Sequence, residues 1–374
     1  MDFSGPLPIR YVCNLPADIM LAIVEKADWA TLWRLTQTSK AMRNLIASHE
    51  RSITVTKLSR FPLPPIGAVL SSETEQRESI NAFTFGTVTE FNRRDWRIDS
   101  ILSGGFLSTG DPTSLGLSSD ALCNMKRGLK RALYIADRVA DVEADVMLSA
   151  KEATKATPSR KPDMRADVPL ISRDQLGPAV HGIRSVLAWQ SDLLRICCTT
   201  RARQIMMIRT LSTEDLAFLN QLTSLAAMGY ARYKAMELRS DPGAWDKVVA
   251  FREMLLRHGS LFLWAYVRGS GSLHRFMESM VRCGVSEIRE WEDRVAETDG
   301  SNDDDDEGGS AAMRQMDGAE TWLPGLHMTM VGELRSRLAC KVDVFGVDDV
   351  WTKSEELVCR IIGHQIRFAA EDAV

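Results

Sequence analysis

The sequence predicts a mainly α protein, with a short three-helix N-terminal module followed by a larger, irregular helical domain. Three observations predict it. Apolar residues recur at three- and four-residue spacing through most of the chain. Ser, Asp and Thr stand where helices of that period would begin. No internal repeat of roughly 20–50 residues is visible, so leucine-rich, WD-type and kelch-type architectures find no support.

The first helix begins at Leu15-Pro16. Pro16 suits a first turn, where its missing N–H costs nothing, and Asp18 favours the helix dipole there. Pro16, Ile19, Met20, Ile23, Val24 and Ala27 form a single apolar stripe. Asp28 is placed to cap a short second helix over 29–36, which presents Leu32, Trp33 and Leu35. Thr38 or Ser39 caps a third helix, with Met42, Leu45 and Ile46 on one side and Lys40, Arg43 and Asn44 on the other. The module is expected over 8–55 and an irregular connector over 56–118. From 61 on, the connector is rich in Gly, Pro, Ser and Thr, with one or two short strands or helices.

The helical domain is expected over 119–374. Ser119 or Asp120 starts a long helix with Leu122, Met125, Leu129, Leu133, Ala136 and Ala140 on one face. A second helix is expected over 174–200, with Val180, Ile183, Leu187 and Leu194 aligned. Ser212 and Asp215 open a third, to about 239. Asp241-Pro242 reads as a cap followed by a first-turn proline. Gly259 and the Gly269–Ser272 stretch punctuate the next two helices, and two more are expected over 328–340 and 348–369. The polar segments near 151–167 and 298–320 have almost nothing to bury and are expected as disordered loops.

Composition excludes little else. The 374 residues are 45% apolar and 26% charged, which rules out fibrous and wholly disordered classes. A net charge of −4 provides no global basic field to attract nucleic acid. The longest apolar run, 261–267, is far too short for a bilayer core of about 30 Å, so no membrane partner is expected. The first residues lack the basic and apolar regions of a secretory signal. Seven cysteines, odd in number and dispersed, are expected as reduced, buried thiols of a cytoplasmic or nuclear protein.

Three helices in about forty residues cannot bury this much apolar surface among themselves, because so small a unit usually needs a partner. The segment therefore suggests a docking module. Its residues resemble an F-box, in the form common among filamentous fungi. Leu15-Pro16, Asp18-Ile19, Met20, Ile23, Asp28, Leu32, Leu35, Ser39-Lys40, Arg43, Leu45 and Ile46 match the family pattern. Ala27 stands where a larger aliphatic is usual, Thr38 where Val is usual and Met42 where an aromatic is usual. The match covers about a tenth of the chain.

The resemblance implies docking on the Skp-family adaptor of a cullin–RING (SCF-type) ubiquitin ligase. The remainder of the chain would then recruit an unidentified protein substrate. It implies a partner-binding face of Leu15, Pro16, Ile19, Met20, Ile23, Leu32, Leu35 and Leu45, which contact the adaptor or support the contacting surface. The alternatives are an F-box-like interaction or scaffold protein acting outside a ubiquitin ligase, and a plain three-helix cap in which these residues are core.

Signals that look chemical have plainer readings, and no enzyme, cofactor or metal site is expected. Cys197-Cys198 lacks a second cluster, and the histidines lack ligand spacing. Lys126, Arg127, Lys130 and Arg131 share a helical face but have no interleaved aromatics, so a solvated face is expected. Asp303–Glu307 reads as a hydrated loop and Gly269–Ser272 lacks the lysine of a P-loop. Trp245, Phe251, Phe262, Trp264, Tyr266 and Phe276 are expected mostly in the core, with any exposed ring a candidate substrate contact.

Overall fold

The computed structural model describes residues 15–73, 77–103, 118–156, 198–235, 241, 243–269, 271–299, 325–340 and 349–363. The described chain is mostly helical, with one pair of two-residue strands. It divides into two compact units, Met1–Asp95 and Trp96–Val374.

In the first unit, α1 (Ala17–Lys26), α2 (Trp29–Thr38), α3 (Lys40–Ser48) and α4 (Glu50–Leu58) follow one another closely. Their ends are fixed by short polar contacts. The Asp28 carboxylate accepts from the Thr31 N–H at 2.7 Å and opens α2. This hydrogen bond and a second from the Thr31 hydroxyl, at 3.1 Å, hold the Asp28 carboxyl below its ordinary range. Ser39 Oγ accepts from the Met42 N–H at 3.1 Å and opens α3. The C-terminus of α1 is closed from a distance: the buried Lys57 Nζ donates to the Glu25 carbonyl at 2.6 Å and to that of Ala27. A cation at a helix C-terminus also favours the dipole.

One core cluster of this unit is Val24, Leu32, Met42 and Ile46, one or two from each of the first three helices, together with Ile53 of α4. Met20, Leu21, Trp29, Leu35, Leu45 and Phe85 pack around it. The three N-terminal helices therefore share their core with residues well downstream. Strands β1 (Val69–Leu70) and β2 (Ser79–Ile80) pair antiparallel, with Val69 opposite Ile80. Helix α5 (Phe85–Ser103) follows. It holds a buried ion pair in which Arg94 Nε donates to Glu90 Oε1 at 3.1 Å. Arg94 also donates to the Leu70 carbonyl, and Glu90 accepts from the Ser72 N–H and hydroxyl. Such a pair is tolerable when its remaining hydrogen-bonding groups are satisfied in this way.

The expected connector over 56–118 lies within the described residues except for 74–76 and 104–117. Two short strands are present there, α5 is a regular helix of 19 residues, and the division between the two units falls inside that helix.

The second unit is built on α6 (Ser119–Ala156), a helical stretch α7 over 198–210, α8 (Thr213–Tyr233), α9 (Ala244–Arg268), α10 (Ser272–Asp299), α11 (Leu326–Arg337) and α12 (Val350–Ile362). Helix α9 packs on α6, α8, α10 and α11, so it lies at the centre of the unit's contacts. Leu129, Leu133, Leu219, Leu222, Phe251, Phe262 and Leu263 are fully buried. Ser212 caps α8 through the Asp215 N–H at 3.1 Å. The expected cap at Asp241 is displaced: α9 starts at Ala244, and the Asp241 carboxylate instead accepts from the Gly243 N–H at 2.8 Å.

Gly259 interrupts α9 with φ 64° and ψ −150°. The buried Asp137 of α6 accepts from the Ser260 N–H at 2.7 Å and from its hydroxyl at 2.8 Å, and so caps the second half of the helix.

Two further expectations change. Residues 151–156 are helical as the end of α6, and 298–299 as the end of α10; the rest of both expected loops, and the expected helix before 198, lie outside the described residues. Among the described residues no thiol is buried: Cys123, Cys198 and Cys283 are exposed, while Cys340 and Cys359 are half-buried; Cys13 and Cys197 lie outside the described residues. Cysteine's small apolar side chain tolerates both settings, and spacing alone does not separate them. Among the described residues no helix is long and apolar enough to cross a membrane.

Candidate docking face

The apolar stripe of α1 has two edges with different fates. Val24 is 1% exposed and Met20 packs on the core beside it. One position away along each turn, Ile19 is 49% exposed and Ile23 46% exposed. Pro16 is exposed and Leu15 half-buried at the start of the helix. The stripe is wider than the core it rests on, so one edge is covered by α3 and α4 and the other meets water.

The remaining expected face residues lie deeper. Leu32 is 2% exposed and belongs to the core, so it can serve a docking surface only by supporting it. Leu35 and Leu45 are half-buried against the same core. The structure thus leaves Pro16, Ile19 and Ile23 open and places Met20, Leu32, Leu35 and Leu45 as their foundation. Sequence reasoning placed Trp33 on the second helix but left it out of the face. It is 62% exposed. Its signal was its position directly after the core Leu32, because neighbouring helical residues point about 100° apart.

The geometry is held by polar contacts at the helix ends. Arg43 Nε donates to the Thr36 carbonyl near the end of α2 at 3.1 Å, and Ser52 Oγ donates to Glu25 Oε1 on α1 at 2.5 Å. With the Asp28 and Lys57 caps, these fix both ends of the open helices. The exposed side chains are aliphatic and aromatic, with Asp18, Lys26 and Arg34 exposed on the same two helices. Such a surface can bind an apolar groove.

Other candidates resolve into structural roles. The basic face of α6 is partly neutralised, because Lys130 Nζ donates to Asp99 at 2.6 Å and Arg131 makes a two-pronged contact to Asp215 at 2.6 and 3.0 Å. Among the described residues no group of three or more His, Cys, Asp or Glu side chains is arranged to hold a metal ion. Phe251 and Phe262 are core, Trp264, Tyr266 and Phe276 are half-buried, and Trp245 is 68% exposed. Comparison with family models, with curated proteins and with solved structures finds no match for this chain.

Proposed function

We propose that the chain is a non-enzymatic recruiting protein whose N-terminal helices dock, in the manner of an F-box, on the Skp-family adaptor of an SCF-type ubiquitin ligase. The observation that carries this reading is the open edge of α1, where Ile19 and Ile23 stay about half exposed beside a well-packed core. Aliphatic side chains held rigidly in water gain free energy on being covered, at roughly 25 cal/mol per Å² of apolar surface. Leu15-Pro16, Asp28 and Ser39 stand at the helix starts that the F-box pattern assigns them. The second unit would then hold a protein substrate near the ubiquitin carrier, so the contribution to chemistry is proximity.

Co-expression with a Skp-family adaptor tests this. The wild-type chain co-purifies with the adaptor, and the Ile19→Asp, Ile23→Asp double variant remains folded and does not. If the adaptor fails to bind the wild type while those two substitutions abolish capture of another protein, the face serves an interaction outside a ubiquitin ligase. If neither partner depends on them, the helices are only a cap.

A further inference from the structure

The last turns of α9 carry a surface cluster that the docking face does not use. Trp264 and Arg268 stand four residues apart on this helix, so they share a side. The Arg268 guanidinium carbon lies 5.9 Å from the centroid of the Trp264 ring. Trp96 of α5 meets the same ring edge to face, with the centroids 5.0 Å apart. Its neighbour Arg97 helps to place it: Arg97 is buried and reaches Ser260 Oγ, one turn before Trp264, at 3.5 Å. Trp96 is 62% exposed, Arg268 is exposed and Trp264 is half-buried.

Among the described residues neither indole N–H makes a hydrogen bond, and Arg268 has no carboxylate partner. Other exposed arginines of this unit have one: Arg131 faces Asp215, Arg289 faces Asp246 and Arg337 faces Glu333. Asp99, one turn beyond Trp96, is taken up by Lys130 at 2.6 Å. The three side chains therefore present ring faces, N–H donors and one positive charge, and no oxygen acceptor. The complement of such a surface is an apolar group with a carboxylate beside it. Trp and Arg are also the residue types that carry much of the binding energy at protein interfaces. A nucleic-acid strand would call for a run of cations along its backbone, and this cluster holds one.

We propose that Trp96, Trp264 and Arg268 form a contact surface for an acidic peptide segment of a protein partner. An apolar side chain of that segment packs on the two indoles, and a neighbouring Asp or Glu carboxylate accepts from the guanidinium and the indole N–H groups. The proposal names a substrate class for the recruiting role, and its biological use rests on that reading.

The test is selection of a displayed library of random, unmodified twelve-residue peptides on the full chain. Enriched peptides should carry Asp or Glu within two positions of an aromatic or large aliphatic residue. A synthetic copy of the most enriched peptide, followed by fluorescence anisotropy, should bind Trp96→Ala about tenfold or more weakly than the wild type. Arg268→Glu should lose these peptides and enrich basic ones instead. Trp245→Ala removes another exposed indole, one with no ring or cation beside it among the described residues, and should bind like the wild type. Should Trp96→Ala not fold, Arg268→Glu decides alone, since its side chain lies at the surface. No enriched peptide, enrichment without acidic residues, unchanged selection by Arg268→Glu or an equal loss in Trp245→Ala would each overturn the proposal. No adaptor takes part in the selection, so its failure leaves the docking reading standing, and a failure of adaptor binding leaves this surface standing.

Discussion

Replacing Gly259 with Ala tests how the second unit is assembled. At φ 64° and ψ −150°, residue 259 occupies a region open essentially to glycine alone, where another residue carries about 1–3 kcal/mol of strain. A Cβ there would also stand 2.8 Å from the Asp137 Cα and 2.9 Å from its N, and closer still to its carboxylate oxygen. That carboxylate caps the second half of α9 through Ser260. Because the neighbour is backbone, the helices must separate, which adds about 1–3 kcal/mol of overpacking cost. The sum is about 4 kcal/mol, a large part of the stability of a typical domain.

Two other glycines calibrate the number. Gly271 also has positive φ, 65°, but open space around it, so Gly271→Ala should cost only about 1–2 kcal/mol of strain. Gly332 lies exposed in α11 with nothing near it, so Gly332→Ala should stabilise by about 0.5–1 kcal/mol. Urea unfolding followed by circular dichroism gives the three values, and hydrogen exchange over α9 locates the damage. A Gly259→Ala cost no greater than that of Gly271→Ala would refute the close approach of α6 and α9.

Further expectations concern stability. His327 has a folded pKa of about 4 against 6.5 for the unfolded chain, so the unfolded state binds the extra proton between those values. Its contribution is complete above pH 6.5 and is lost as pH falls toward 4, by up to about 3 kcal/mol. Urea midpoints at pH 7 and 4.5 measure this, and His327→Gln should flatten the difference. Lys57→Met leaves the Glu25 and Ala27 carbonyls without their ammonium donor and should cost about 1–3 kcal/mol, read as a lower Tm. Gly128→Ala would drive a Cβ into the Phe218 ring and should cost about 1–3 kcal/mol, seen as faster hydrogen exchange in α8.

The helix starts at Asp28, Ser39 and Ser212 were legible because a cap is a local contact between a side chain and an N–H three residues on. Helix α5 was not. Its buried positions run 87–88, 90–91, 94, 97–98 and 101–102, a regular helical period, but Thr87, Glu90, Arg94 and Arg97 break the apolar pattern. Those polar groups are buried because they find partners at Asn81, Ser72, Leu70 and Ser260, and no local rule reveals such pairings. The stripe on α1 was visible, but which edge would be covered was not, since Ile53 and Phe85 decide it from outside the three helices. The contacts of the buried Glu253 were hidden for the same reason: apart from Arg257, four residues on, its partners Arg201, Leu326 and His327 lie 52, 73 and 74 positions away.

The central claim is that the open edge of α1 is a dock. Ile19 and Ile23, each about half exposed, would each gain about 1 kcal/mol when an adaptor covers them. Truncating both to Ala should therefore weaken adaptor binding by about 2 kcal/mol, or about thirtyfold in Kd, with unchanged unfolding midpoint. Titration calorimetry of the full chain with a Skp-family adaptor is the direct measurement. A thirtyfold loss at constant stability is what the account requires; binding indifferent to both truncations, or no binding by the wild type, would contradict it.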